Sequence, residues 1–475
     1  MANMRGLRTG VLAWGLGLLL ATSALSPVAG QSLDEALIQA YQTNPQLQAA
    51  RAELRAVDEQ VSQAYARYRP SLSIDGSTEG RTTNQGGQSF EIWTNSIGLN
   101  LRQNLYEGGR TVAGIRSAVQ QVGQQRASLQ ALEQQIFLNA VRAYTNVVAA
   151  RRVVDLARNN EERLERQQQA TVDRFEVGEV TRTDVAQAEA RVAGAVADRI
   201  RAVGNLQQVS ANFEAVVGMR PGDLSTDAVT IATPPSLVDA QARAEKNPAL
   251  VAAEFAFEAA QADVRVAQGA LLPTLDLQAG LNYADNPSRA LNYQTDARIG
   301  AVLTIPLYQG GAEYSRIRQT KQIVDQRRRQ FDATRRDVIE LTTEAWEALV
   351  TATAQTRALE QQVRANALAL EGVETEAQVG ARTVLDVLDA EQELFQSEID
   401  LVNARANRVV ALYTLQSAMG ELTAEGLGLG VERYDPSVHF RTVRTQGFGT
   451  EAGTNRSVFQ DIDFREEWGL RREPN

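Results

Sequence analysis

With 475 residues and 43% apolar side chains, the chain is long enough for several domains and apolar enough for a packed core. Acidic residues outnumber basic ones, 58 against 48, and the net charge of -10 argues against a nucleic-acid surface or any bulk anionic partner. A cysteine count of 0 removes disulfides, thiolate nucleophiles, iron-sulfur clusters and a thiol to carry a lipid, and the single histidine, His439, is too little for a zinc site or a histidine-based triad.

Residues 1–30 read as an export signal. Arg5 and Arg8 precede the apolar run "VLAWGLGLLLA", and "SPVAG" offers small residues for cleavage after Gly30. The run is short of the roughly 20 apolar residues that a spanning helix needs. Nothing after it is apolar enough to span as a helix, so membrane insertion would have to use strands.

The rest of the chain repeats itself once. "NPQLQAA" at Asn44 returns as "NPALVAA" at Asn247, "RPSLSI" at Arg69 as "LPTLDL" at Leu272, and "LYEGGR" at Leu105 as "LYQGGA" at Leu307. "VGEVTRTDV" at Val177 returns as "VGARTVLDV" at Val379. The repeats are assigned to residues 31–220 and 237–425, joined by a Pro-containing linker at 221–236.

Each repeat reads helix, strand pair, very long helix, reversal, helix. Asn44-Pro45 and Asn247-Pro248 supply an N-cap followed by proline in the first turn, and the helices stop before Pro70 and Pro273. Alternation then replaces the helical period, as in Leu72-Ser73-Ile74-Asp75 and Leu275-Asp276-Leu277-Gln278. This predicts two strands per repeat, each of about ten residues, a length suited to spanning a membrane, with polar loops "EGRTTNQGGQS" and "ADNPSRALN" at the far end. Trp93, Tyr106, Tyr283 and Tyr308 read either as an aromatic girdle or as ordinary strand packing. One chain cannot close a barrel with so few strands, because no open edge can face lipid, so the protein must assemble.

After "YEGG" and "YQGG", where Gly108, Gly109, Gly310 and Gly311 form tight strand-to-helix turns, a helix of about 65 residues, or about 95 Å, begins in each repeat. Ile115, Val122, Leu129 and Ile136 fall every seventh residue, as do Ile317, Val324, Phe331 and Val338, the spacing of a coiled coil. The rods alone would equally suit a periplasmic scaffold or adaptor without a pore.

At the reversals, Gly178 and Gly380 end the long helices, Thr181 and Thr383 follow as N-caps, and Asp184 and Asp386 fall three residues later, as in a capping box. Asp389 shares a helix face with Asp386, and its repeat partner is Gln187, so capping does not call for it. A glycosidase pair or a metal site fits poorly, since two neighbours on a helical tip have no cleft. Residues 426–475 lack periodicity and read as a disordered tail that leaves His439 without a role.

The duplication, both Y-x-G-G turns, both V-G reversals and "GARTVLDVLDAE" together resemble the TolC family of outer-membrane channel-tunnels. The resemblance implies an α+β homotrimer, with a twelve-stranded barrel in outer-membrane lipid and a helical tunnel across the periplasm. It implies a passive export duct for type I secretion or multidrug efflux. Its partners would be a periplasmic adaptor and an inner-membrane transporter of the ABC, RND or MFS class, with no enzymatic activity and no cofactor. By the same resemblance Asp386 and Asp389 form the constriction ring of the periplasmic mouth. Arg382, Asp184 and Thr183 make closed-state contacts, and the turns at Gly178 and Gly380 face the adaptor. The family's tyrosine in the closing network is Ala377 here.

Overall fold

The computed structural model describes residues 31–225 and 233–453. The signal-peptide reading falls outside those residues, as does the middle of the inter-repeat linker. The elements come in the expected order. Helices α1 (Leu33–Thr43) and α2 (Pro45–Ala66) lead into strands β1 (Ser71–Gln85) and β2 (Gln88–Glu107), then α3 (Arg110–Glu176) and α4 (Arg182–Val217). The second repeat gives α5 (Leu237–Ala244), α6 (Pro248–Gly269), β3 (Thr274–Ser288), β4 (Leu291–Thr304), α7 (Ala312–Gln378) and α8 (Val384–Ala418), and α9 (Ser437–Val443) follows.

The local signals act as their chemistry dictates. Asn44 Oδ1 accepts from the backbone N–H groups of Gln46 and Leu47 at 2.9 and 3.3 Å, which starts α2 on Pro45. Gly109 and Gly311 take left-handed backbone ahead of α3 and α7. Gly108 is held by space as well, since a Cβ there would lie 2.5 Å from the Gly269 carbonyl oxygen. The two long helices are 67 residues each.

The four strands form one antiparallel sheet in the order β1-β2-β3-β4. They are longer than the alternation suggested, at 15, 20, 15 and 14 residues. The polar stretches that read as loops are strand almost to the tips, and both hairpins turn within two residues, at Gly86-Gly87 and Arg289-Ala290. Cross-strand backbone pairing from Glu79↔Thr94 through Gln85↔Gln88 holds that polar chain extended, where side-chain pattern alone gave no signal.

Register separates two faces. Ile74, Leu99, Leu281 and Ala297 lie in one row, and Leu72, Leu101, Ala279 and Ile299 in the next on the same face. The opposite face carries Asp75, Gly98, Asn282 and Asp296, then Ser73, Asn100, Gly280 and Arg298. The apolar face is bare: Ile74 is 72% exposed and Ile299 79%. Tyr283 and Tyr293 stack on that face at 6.5 Å, and Trp93 lies over Gly80.

The helices form a layer. Toward the sheet, α3 packs on α2 and α6, and α6 on α7; toward the far end, α3 lies between α4 and α8, and α8 lies against α7. The largest apolar cluster joins Leu37, Leu47, Leu54 and Val61 to Val122, Ile136, Phe137, Val141 and Val147, and to Phe213. Of the heptad sets, Val122, Leu129 and Ile136 are buried, but in α7 only Val338 is.

The tail departs from expectation. Residues 426–453 fold back over α2 and α3 instead of trailing free, with Leu429 and Val443 buried and Phe440 packed against the main cluster. His439 Nδ1 lies 3.1 Å from Oδ2 of the fully buried Asp58, and the Tyr434 N–H donates to Tyr41 Oη at 3.0 Å. Irregularly spaced apolar residues follow a groove without any period, so periodicity misses them. Residues 454–475 lie outside the described residues.

Candidate functional site

The far end of the helical layer is built from two copies of one device. At the end of α3, the Gly178 N–H donates to the Phe175 carbonyl at 3.0 Å and the Glu179 N–H to the Arg174 carbonyl at 2.9 Å, the paired bonds of a Schellman stop. At the end of α7, Gly380 and Ala381 do the same to Ala377 and Glu376, at 3.2 and 2.9 Å. Both glycines have positive φ, 81° and 74°, the region where a side chain would strain the backbone.

Each following helix starts on a complete capping box. The Thr181 N–H and hydroxyl donate to Asp184 Oδ2 at 2.8 and 2.7 Å, while the Asp184 N–H donates to Thr181 Oγ1 at 3.3 Å. Thr383 and Asp386 repeat the pattern at 2.9, 2.8 and 3.2 Å. The threonine N–H, and then its hydroxyl, hold both carboxyls below the usual carboxylate range. The capping role foreseen for Asp184 and Asp386 is therefore present. Thr183 is exposed beside them.

Asp389 sits beyond the box, and its Oδ1 accepts from Arg191 Nη2 of α4 at 2.5 Å. Arg382 Nε donates to Glu376 Oε2 at 2.8 Å within its own reversal. In one chain, then, Arg382 faces Glu376 while Asp184 faces Thr181. Ala377, standing where the tyrosine was expected, packs with Leu370, Val387 and Leu394 between α7 and α8.

Sequence reasoning passed over Arg191, and a signal was available. Ala188 and Ala195 are buried seven residues apart in the seam with Leu164, Val384 and Leu388, and Arg191 occupies the intermediate position of that heptad. A cation in a seam asks for a partner. It also passed over Glu391, three residues after the buried Leu388 and only 3% exposed. Burial pushes Glu391 up to about 7, with Arg163 and Arg166 opposing and Glu374 adding to the shift. Glu391 Oε2 and Arg163 Nε and Nη2 are buried without hydrogen bonds.

The tip is open, and its exposed residues include the apolar Val177 and Val379, at 72% and 78%, beside the charged Glu179 and Arg182. No helix among the described residues is long and apolar enough to cross a membrane. A bare apolar sheet face, a polar opposite face and a helical layer of about 100 Å ending in paired charged reversals define a protomer of a β-barrel channel with a helical extension.

Comparison with known proteins agrees. The family model described as outer membrane efflux protein matches twice, over residues 36–219 and 240–421, in line with the duplication. The outer membrane efflux protein BepC of Brucella suis is 35% identical over 429 residues, covering 90% of this chain and 93% of that one. The outer membrane protein TolC of Escherichia coli is 27% identical over 430 residues, covering 85% and 86%. The crystal structure of VceC from Vibrio cholerae superposes with a TM-score of 0.71 at 21% identity, covering 82% of this chain and 96% of that one, and shares the fold. The chain belongs to the outer membrane efflux protein family. It is a transport protein of the outer membrane that extends into the periplasm, and the family is made of channels, not enzymes.

Proposed function

We propose that three copies of this chain close one twelve-stranded barrel and one helical tunnel, forming a passive exit duct for type I protein secretion or multidrug efflux. The observation that carries this reading is the sheet. Among the described residues strands β1 and β4 each lack a neighbour on one side, and the face bearing Ile74, Leu99, Leu281 and Ile299 is bare. Unpaired strand edges cannot face lipid, so closure has to come from further copies. Residues 1–30 would direct export of the chain, and residues 31–220 and 237–425 would be the repeats, joined at 221–236.

At the periplasmic end, Asp386 and Asp389 would form a cation-attracting ring. Rings of carboxylates favour cations over anions in pores. Arg382, Asp184 and Thr183 would make contacts between neighbouring chains in the closed state, and opening would exchange the Arg382 to Glu376 pair for others. The reversals at Gly178 and Gly380, with Thr181, Thr383 and the bare Val177 and Val379, would receive a periplasmic adaptor. That adaptor would couple the duct to an inner-membrane ABC, RND or MFS transporter.

Mass measurement on detergent-extracted protein tests the assembly. A trimer is expected, and a well-folded monomer or dimer would end the proposal. Deleting the gene and profiling secreted proteins alongside drug sensitivity then separates the two classes of cargo.

A further inference from the structure

We propose that Arg191 sets the charge of the constriction: it is a selectivity-determining residue that cancels Asp389, so the ring acts through Asp386 alone. The proposal rests on the reading of Asp386 and Asp389 as a pore-lining ring, and it changes what that ring is.

Counting carboxylates gives two negative charges per chain at this face. The structure gives a different sum. Asp389 Oδ1 accepts from Arg191 Nη2 at 2.5 Å, and the two side chains are 58% and 36% exposed, so the cation sits at the same surface as the carboxylate it neutralises. Arg382 and Glu376 cancel within their own pair at 2.8 Å. Among the described residues Asp386 has no cation in direct contact: its carboxylate is held by the neutral N–H and hydroxyl of Thr383, while Arg382, paired with Glu376, acts on it only through space. Of these five side chains, one net negative charge per chain remains, on Asp386.

Placement explains why the pair is fixed. Arg191 occupies the heptad position between the buried Ala188 and Ala195, so α4 cannot turn it elsewhere without unpacking the seam with Leu164, Val384 and Leu388. A long side chain anchored at its base loses less freedom on pairing than a free surface arginine would, and so remains with its carboxylate. Arg191 belongs to the first repeat and Asp389 to the second, so the contact also joins the two halves of the chain at the mouth.

This yields a sharp test in planar-bilayer recordings of the purified channel, reading the cation-to-anion permeability ratio. With Arg191 counted, Asp386→Asn and Asp389→Asn each bring the net charge of the face to zero, and each should abolish the cation preference. Without it, each would leave half the ring charge and an intermediate preference. Arg191→Gln should raise the preference, by about two-fold or more at low salt, because the fixed negative charge doubles. Arg191→Lys should keep the wild-type ratio. The double variant Arg191→Gln with Asp389→Asn restores the net charge without the ion pair, and should return the wild-type ratio.

The failures are distinguishable. If Asp386→Asn and Asp389→Asn both leave the ratio unchanged, the ring reading itself is wrong. If both lower the ratio only part way, and Arg191→Gln matches wild type, the ring stands and Arg191 has no part in it. A raised ratio in Arg191→Gln that the double variant fails to reverse would show that Arg191 acts other than through Asp389, and would also overturn the proposal. The aspartate variants decide the matter even if Arg191→Gln does not fold, since abolition and halving differ without it.

Discussion

Helices α3 and α7 have the same length, the same period and matching positions in the two repeats, yet they live in opposite surroundings. Phe137 of α3 is fully buried, while its repeat partner on α7, Ile339, is 40% exposed. The difference comes from place in the layer. α3 has neighbours on both sides, α2 and α6 toward the sheet, α4 and α8 toward the tip; α7 has α5, α6 and α8 and leaves one face open. The shorter helices invert the pattern, with α8 inside and α4 at the edge. Duplication thus supplies two similar hairpins, and packing makes one helix of each a core element and the other a rim. The open rims of α4 and α7 flank the layer as β1 and β4 flank the sheet, so open edges stand at both ends of the molecule.

The largest expected effect breaks that contrast at its centre. Phe137→Ala removes a ring enclosed by α1, α2 and α3 and should cost about 3–5 kcal/mol, visible as a collapse of the thermal transition or loss of folded protein. Ile339→Ala should change the stability of a single chain by no more than about 0.5 kcal/mol, as at other open surface sites. Ile339→Asp sharpens the comparison: it should leave the chain folded but shift detergent-extracted protein from assembled to single-chain mass. Equal losses from Phe137→Ala and Ile339→Ala in monomeric protein would contradict the assignment of core and rim.

A second contrast pairs Glu391 on α8 with its repeat partner Glu189 on α4, the same residue type buried in one repeat and exposed in the other. Burial raises Glu391 to about 7 from an ordinary 4.5. An acid with a raised folded-state pKa gives its full contribution below the unfolded value, and that contribution is lost as pH rises through the folded one. Wild-type protein should therefore be less stable at pH 8 than at pH 5, by on the order of 1–3 kcal/mol after allowance for Arg163 and Arg166. Glu391→Gln should remove that slope and exceed wild type at pH 8, whereas Glu189→Gln should leave it unchanged. Melting curves across that range decide the point, and an undiminished slope in Glu391→Gln would place its origin elsewhere.

These residues also mark where sequence reasoning reaches its limit. Helix starts at Pro45 and Pro248, the Gly-Gly turns, both reversals and both capping boxes were legible, because each depends on residues within a few positions of one another. Long-range partners were not. Nothing near Asp389 in sequence names Arg191, and nothing near Asp58 names His439. Strand length escaped for a related reason. The polar residues from Glu79 to Ser89 are extended because they are paired, and pairing is not a property of either strand alone. Heptads of the same spacing likewise gave no hint that α3 would be covered and α7 left open.

The reversals should respond alike in the two repeats. A Cβ on Gly178 or Gly380 would meet no atom within 4 Å, so valine there carries a backbone penalty without a clash, about 1 kcal/mol or more. Gly178→Val and Gly380→Val should reduce export while the barrel and assembly persist. Normal export by both would remove the turns from the docking surface, and a defect in only one would show that an adaptor reads the two repeats differently.

The capping boxes offer the smallest effect and the closest match. Thr181→Ala and Thr383→Ala each delete the hydroxyl that accepts from the aspartate N–H, and each should weaken its helix start by about 1 kcal/mol. Because the threonine N–H holds Asp184 and Asp386 below their ordinary pKa, the boxes contribute fully above the ordinary value and are lost as pH falls through the lowered, folded-state one. Amide protection at Asp184 and Asp386, taken relative to the intrinsic exchange rate at each pH, should therefore fall together on strong acidification, and fall in the alanine variants at neutral pH. The pair parts company in function. Asp184→Asn and Asp386→Asn should loosen their helix starts to a similar degree, yet only Asp386→Asn should change the ion preference of the channel, since only that carboxylate belongs to the proposed ring. A matching change from Asp184→Asn would mean that ion preference follows the integrity of the caps and not the charge at the mouth.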